Sequence, residues 1–301
     1  MCPVTGIVLV DKPAGWTSFD VVAKLRGIFA TRRAGHAGTL DPMATGVLPV
    51  FLGQATKACD LLPAQDKSYL AEVQLGLVTD TQDVTGRVLQ KNPCRLARAQ
   101  VEAVLPQFLG PQLQTPPMYS AVKVAGRRLY DLAREGREVE RPARPIEIYS
   151  LNVTDFCEQQ QRLTLQVHCS KGSYVRTLAH DLGQRLGCGA ALAALRRTMA
   201  AGWRVEDCRT IEALQALKEA GRLQEAVLPV ESAFAGLPLC RLEGKLGLLY
   251  RNGVRLEAAR TGLAGVEGLV QVWDEKGFVG IAWQDAGEGL LHPRKMFAER
   301  T

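Results

Sequence analysis

The sequence predicts an α+β protein: a mixed, mainly antiparallel sheet flanked by helices over residues 1–237, followed by a small β-rich module over residues 238–301. Three observations carry this. SYLAEVQLG and RLTLQVHC alternate apolar and polar residues with the two-residue period of half-buried strands. Tyr174 to Leu186 instead sets Val175, Leu178, Ala179, Leu182 and Leu186 at helical spacing, with Gly187 as a stop. Near the end, GLVQVWDEKGFVGIAW holds two alternating runs around Asp274-Glu275-Lys276-Gly277, a hairpin signal. A chain of 301 residues, 47% hydrophobic and 23% charged, has ample length and apolar content for two folded domains.

In chain order, the apolar run at residues 6 to 10 reads as a buried strand, and Lys12-Pro13-Ala14-Gly15 forces a turn. A helix follows: Thr17 or Ser18 can accept from its free amides, and Val21, Val22, Leu25, Ile28 and Phe29 share a face. The glycine- and proline-rich RRAGHAGTLDPMATG is expected as an irregular loop. Tyr69, Ala71, Val73 and Leu75 form the inward side of one strand, and Leu163, Leu165 and Val167 that of another. Between them VEAVLPQFLG has helical spacing with Pro106 as a kink. From Lys123 to Arg144 the chain carries seven Lys/Arg against four acids, beside Tyr119 and Tyr130, in a length suited to an arm or lid. ALAALRRT reads as a basic-ended helical piece, residues 211 to 221 as an amphipathic helix, and residue 237 as the domain boundary.

Charge and motifs bound the chemistry. The formal charge is +6, while residues 240 to 301 hold nine Lys/Arg against eight acids, so the excess lies in the longer first part. A basic surplus there suits a polyanionic partner, nucleic acid first, and equally a solvated basic face. The eight cysteines stand singly, without C-x-x-C or zinc-like spacing, and are read as reduced thiols. Phosphate-loop, dinucleotide, zincin and nucleophile-elbow motifs are absent, which weighs against NTP hydrolysis, dinucleotide redox, metalloprotease and α/β-hydrolase chemistry. With four histidines a His-rich metal site is not expected, and no metal or cofactor is. No leader-like pattern or apolar run approaching ~20 residues is present, so a cytoplasmic, non-membrane protein is expected.

Several residues stand between a bland and a chemical reading. Asp41 in GHAGTLDPMATG either organises a turn or serves as nucleophile or base in a frame that admits a ligand closely. His36 is a satisfied histidine or a ring to stack on a base. Tyr69 is core packing or a platform with a polar tip. Arg176, in KGSYVRTLAHDLG, is a surface charge at a helix start or the partner that keeps a buried carboxylate ionised.

Four ordered blocks decide among these: GIVLVDKPAGWTSFDVVAKLR, GHAGTLDPMATGVLPVFLGQATK, PPMYSAVKVAGRRLYDLAREG and KGSYVRTLAHDLGQRLGCGAALAALRR. Together they closely resemble the TruB family of bacterial tRNA pseudouridine synthases, over nearly all of residues 5 to 205. The tail resembles that family's small PUA-like RNA-binding module more loosely. The resemblance implies a stand-alone isomerase acting on uridine-55 in the tRNA T-loop, without guide RNA, metal or redox partner. It makes Asp41 the catalytic aspartate, Arg176 its partner, Tyr69 the ring stacked on the flipped uracil and a candidate for proton transfer, and Leu195 an apolar wall. His36 would fill space in the displaced RNA loop. Lys12 would support this region, structurally or by gripping phosphate. Residues 119–145 would form a mobile thumb on the T-arm, with Arg127, Arg128, Arg134 and Arg137 on phosphates, and the C-terminal module would hold the acceptor stem. A monomer with no obligatory protein partner is expected. Other readings are tRNA binding and folding, alone or in addition, a guide-RNA-dependent synthase, and an aspartate glycosidase, which would call for a second carboxylate.

Overall fold

The apolar run near the start forms strand β1 (Gly6–Lys12), with Ile7 and Leu9 in one core and Val8 and Val10 in another. Covered on both faces, it loses the alternation of a half-buried strand. The computed structural model describes residues 4–120, 122–124, 126–263 and 265–298. After β1 come α1 (Ser18–Ile28), β2 (Ala34–His36), β3 (Thr45–Leu52), β4 (Lys67–Leu75) and a hairpin of β5 (Leu77–Thr79) and β6 (Val88–Lys91). Then follow α2 (Arg98–Glu102), β7 (Gly110–Gln114), the small hairpin β8 (Lys123–Val124) and β9 (Arg127–Arg128), and α3 (Leu129–Arg134). The first part closes with β10 (Arg144–Cys157), β11 (Arg162–Cys169), α4 (Val175–Arg185), β12 (Ala190–Ala200), β13 (Trp203–Arg204) and α5 (Ile211–Glu219). Last come β14 (Leu239–Arg241), α6 (Gly244–Arg251), β15 (Leu256–Glu257), β16 (Gly268–Asp274), β17 (Gly277–Asp285) and β18 (Leu290–Met296).

The main sheet runs β1-β3-β12-β4-β11-β10-β7, with β2 beside β3 and β13 beside β12. The β3–β12 pair is parallel and the other pairs are antiparallel, giving the expected mixed, mainly antiparallel sheet. Apolar stripes of α1, α4 and α5 cover one face, where Val21, Leu25, Leu178, Leu182 and Leu214 meet Tyr69, Ala71, Val73 and Leu165. Helix α1 starts with a capping box: the Thr17 hydroxyl accepts from Asp20 N at 3.0 Å, and Asp20 Oδ2 accepts from Thr17 N at 2.8 Å. Ser18, the other candidate cap, turns inward instead.

The segment ALAALRRT is not helical: it lies in β12, between β3 and β4 at the middle of the sheet. Alanine and leucine favour a helix locally, but β4 pairs along the whole of β12, while on its other side Leu192 exchanges backbone bonds with Gln82 and Val84 and β3 takes Arg196 and Arg197, so the segment is held extended with its apolar side chains buried. Around Pro106 the expected kinked helix is two pieces, α2 and a 3-10 turn at Leu105–Phe108. The expected irregular loop after α1 contains β2, which pairs with β3 from Ala34↔Leu52 to His36↔Val50.

The C-terminal sheet runs β14-β16-β17-β18-β15, with the predicted hairpin turning between Asp274 and Gly277. It has its own core of Tyr250, Val270, Val272, Val279 and Leu291. It also packs on the first part: Phe278 and Phe297 lie 6.3 Å and 6.1 Å from Phe234, ring centre to ring centre, and Lys57 Nζ donates to the Met296 carbonyl at 3.0 Å. Among the described residues no helix is long and apolar enough to cross a membrane.

Candidate active site

The segment carrying Asp41 connects β2 to β3 and is held along its backbone. Five consecutive carbonyls each accept a hydrogen bond. Gly38 O accepts from Arg197 Nη2 at 3.0 Å, Thr39 O from Arg197 Nη1 at 3.4 Å, and Leu40 O from the Ser18 hydroxyl at 3.2 Å. Asp41 O accepts from Ala44 N at 3.0 Å, and Pro42 O from Gly15 N at 2.8 Å. Leu40 N also donates to Ser18 Oγ at 2.9 Å, so the start of α1 grips the residue before Asp41 from both sides. A loop without regular structure thus has few free backbone groups and little freedom. The following strand comes close to β12 because Gly46 has no side chain: a Cβ there would lie 2.1 Å from the Arg197 carbonyl oxygen, and its φ is +102°.

Arg176, in the first turn of α4, meets Asp41 at two points, with Nε 2.9 Å from Oδ2 and Nη2 3.3 Å from Oδ1. The same guanidinium donates to Tyr119 O at 2.8 Å and Thr81 O at 3.3 Å, and lies 3.5 Å from Asp83 Oδ2. One arginine therefore ties together the aspartate segment, the β5–β6 hairpin and the root of the basic arm. Asp83 is fixed by the hydroxyls of Thr81 (2.9 Å) and Thr85 (2.5 Å) and by Thr85 N (3.0 Å). The Arg176 and Asp83 side chains are each only 6% exposed, whereas Asp41 keeps 36% of its surface open. The reachable group in this cluster is the carboxylate. Burial of the rest of Asp41 pushes its carboxyl above the ordinary range; Arg176 and Lys12 pull it down, while the negative charge of Asp83 adds to the rise.

Tyr69 and Leu195 line the same region from adjacent strands. Tyr69 pairs with Arg197 and Ala71 with Leu195 across β4 and β12, so these side chains share one face. Both Tyr69 and Leu195 are buried, and burial drives the Tyr69 phenol up to about 12, against the opposing pull of Arg197. His36 is half-buried at the end of β2, its Nδ1 without a hydrogen-bond partner among the described residues. It borders a groove with Arg26, Arg32 and Arg33. Burial, reinforced by the Arg197 charge, lowers its pKa, which favours a neutral ring.

Lys12 differs from the phosphate-gripping possibility. It is fully buried, and Nζ donates to Trp16 O at 2.6 Å, Pro13 O at 2.9 Å and Pro42 O at 3.3 Å. Three carbonyls use its three donors, so its place is structural, fastening the Lys12–Trp16 turn to the residue after Asp41. Burial lowers its pKa to about 8, Asp41 opposing.

The basic arm is a small hairpin followed by α3. Arg127 pairs with Glu135 in a short contact, and Arg137 lies 4.0 Å from the same carboxylate. The side chains of Arg128 and Arg134 lie outside the described residues. Reading the sequence alone missed Asp83 and Arg197. The Thr and Asp residues of TDTQDVTG do signal a turn with side-chain hydrogen bonds, but nothing local points that turn at Arg176.

The TruB family pseudouridylate synthase N-terminal domain matches residues 26–175, and the tRNA pseudouridylate synthase B C-terminal domain matches residues 176–235. The chain is 44% identical over 294 residues to the tRNA pseudouridine synthase B of Dechloromonas aromatica, covering 97% of this chain and 95% of that protein. With the namesake from Haemophilus influenzae it shares 40% over 300 residues, covering 98% and 96%. Among solved structures, a chain of a Cbf5-Nop10-Gar1 complex superposes with a TM-score of 0.77 at 26% identity, covering 98% of this chain and 85% of that one. A chain of an H/ACA RNP bound to a substrate RNA containing 2'-deoxyuridine gives 0.75 at 25%, with 98% and 86% covered.

Proposed function

The chain belongs to the TruB family of pseudouridylate synthases, and on that premise we propose that it isomerises a uridine of tRNA to pseudouridine, the T-loop uridine-55, as a stand-alone enzyme. The observation that carries the site assignment is the solvent-reachable Asp41 carboxylate held at two points by a buried arginine.

The reaction breaks the C1′–N1 bond of the uridine and joins C1′ to C5 of the same uracil. The C5 proton is lost and N1 gains one, so atoms and electrons balance within the nucleotide and no cofactor is called for. The target base must leave its stack to reach a carboxylate set in a fold of this kind. Asp41 then acts at the sugar, either attacking C1′ or removing the proton that starts glycal formation; both routes use the ionised carboxylate. Two-point contact with Arg176 orients that carboxylate and stabilises its charged form. Asp83 and the Tyr119 and Thr81 carbonyls stop the guanidinium from turning away. Tyr69 and Leu195 supply an apolar bed on which detached uracil can rotate without exchanging with water. His36 stacks within the displaced RNA loop.

Arg127, Arg128, Arg134 and Arg137 meet T-arm phosphates, with RNA replacing Glu135 on Arg127. The module over residues 238–301 acts as a PUA-like RNA-binding unit on the acceptor stem. Its balance of nine basic to eight acidic residues from 240 onward suits a modest electrostatic share. The protein works as a cytoplasmic monomer without an obligatory protein partner. A role in tRNA folding alone is not favoured, because the carboxylate–arginine arrangement would then have no task. The test is to incubate purified protein with unmodified tRNA transcript and nothing else, then map pseudouridine. Product at the T-loop position supports the reading; none, with tRNA bound, sinks it.

A further inference from the structure

Arg197 is the largest fully buried side chain in the described structure, and no carboxylate pairs with it among the described residues. An unpaired cation away from water is costly unless its donors are all taken up, and a leucine or methionine would fill the space without that cost. Each of its three nitrogens donates to a backbone carbonyl beside the site. Nε donates to Val47 O at 2.7 Å, Nη2 to Gly38 O at 3.0 Å and Nη1 to Thr39 O at 3.4 Å, and the guanidinium faces the Tyr69 phenol, its directly opposite neighbour across the β12–β4 pair. Each of these partners either precedes Asp41, begins the strand after it, or is the ring expected beneath the base.

The direction of the last contact is fixed by chemistry. A guanidinium has donors only, so the Tyr69 oxygen accepts, and the phenolic hydrogen is left to point elsewhere. We infer that Arg197 is a positioning residue: it fixes the Gly38–Thr39 backbone that presents Asp41 and holds Tyr69 with its hydroxyl hydrogen free to meet the substrate. The inference rests on the isomerase reading above. Burial first, and the Arg197 charge second, lower the pKa values of the neighbouring His36 and Lys67, so a sealed positive charge lies under the pocket. Electropositive ground that cannot reach a phosphate favours developing negative charge on a detached uracil.

The experiment compares Arg197→Met, Arg197→Lys, Tyr69→Phe and the double variant Arg197→Met/Tyr69→Phe, each as full chain, for single-turnover pseudouridine formation and for tRNA dissociation constant. Misplacement of a reacting group by about 1 Å can cost on the order of 100-fold. Arg197→Met is expected to slow the step about 10- to 100-fold while tRNA affinity changes less than about threefold, with Arg197→Lys between it and the parent. The slowing should shrink at least about threefold in the Tyr69→Phe background, as coupled residues require. Full additivity, a parental rate in folded Arg197→Met, or a loss explained entirely by affinity overturns the inference. If Arg197→Met does not fold, Arg197→Lys carries the same comparison, and a parental rate there counts against the inference. A parent that makes no pseudouridine from bound tRNA would instead overturn the functional reading.

Discussion

Arg176 and Asp41 are 135 residues apart in sequence and meet through two contacts, Nε–Oδ2 at 2.9 Å and Nη2–Oδ1 at 3.3 Å. Neither residue could reach the other without the sheet: α4 feeds β12, β12 pairs with β3, and β3 leaves directly from the Asp41 segment.

Asp41→Asn keeps the size of the side chain and one oxygen that can accept from Arg176, but replaces the other oxygen with a donor and removes the charge and nucleophilicity. Pseudouridine formation should fall at least about 1,000-fold, while tRNA binding changes little. Gel-shift titration alongside single-turnover product mapping checks this; a normal rate in the variant would show that the wrong carboxylate has been chosen.

The acid limb of the rate follows Asp41. Its carboxyl is raised by burial, so protonation, which removes the active form, begins at higher pH than for an ordinary aspartate. Asp83 contributes to that rise. Asp83→Asn should therefore move the acid limb of the single-turnover rate to lower pH, even where slackened positioning of Arg176 lowers the plateau. A shift to higher pH would contradict the geometry described.

Lys12→Met leaves the Trp16, Pro13 and Pro42 carbonyls without their shared donor. A loss of about 2 kcal/mol or more in unfolding free energy is expected, since each unmet buried group costs about 1–3 kcal/mol. Denaturant titration measures this. The salt dependence of tRNA binding should stay as in the parent; a shallower slope would restore a phosphate role for Lys12.

Arg127→Ala with Arg128→Ala should flatten the plot of log affinity against log salt by about 1 to 2 units and weaken binding to any T-arm sequence alike. An unchanged slope would remove the arm from the RNA interface.

Gly46→Ala puts a methyl group 2.1 Å from the Arg197 carbonyl oxygen, at a φ of +102° that L-residues resist. The variant is expected to melt well below the parent, and an unaltered melting temperature would mean that β3 and β12 separate easily.

Where local chemistry and tertiary demand agree, the sequence by itself determined the outcome. The alternation in SYLAEVQLG and RLTLQVHC puts Tyr69, Ala71, Leu163 and Leu165 into the core, and the hairpin at Asp274–Gly277 follows its turn residues. Asp41, Arg176, Tyr69 and Leu195 could be singled out because four blocks resemble one family, and the structure brings Arg176 onto Asp41 and sets Tyr69 and Leu195 on one sheet face. Only tertiary structure made ALAALRRT a strand, because β4 along its length, and β3 and the Gln82–Val84 turn on its other side, took up its backbone groups where alanine and leucine alone favour a helix. That same choice created the buried floor of the site. Arg197 looks in sequence like the second half of a basic pair, and its neighbour Arg196 does pair with Asp11, at 2.8 Å. On a strand, successive side chains point to opposite faces, so one arginine of the pair meets Asp11 and the other ends sealed beneath the aspartate segment.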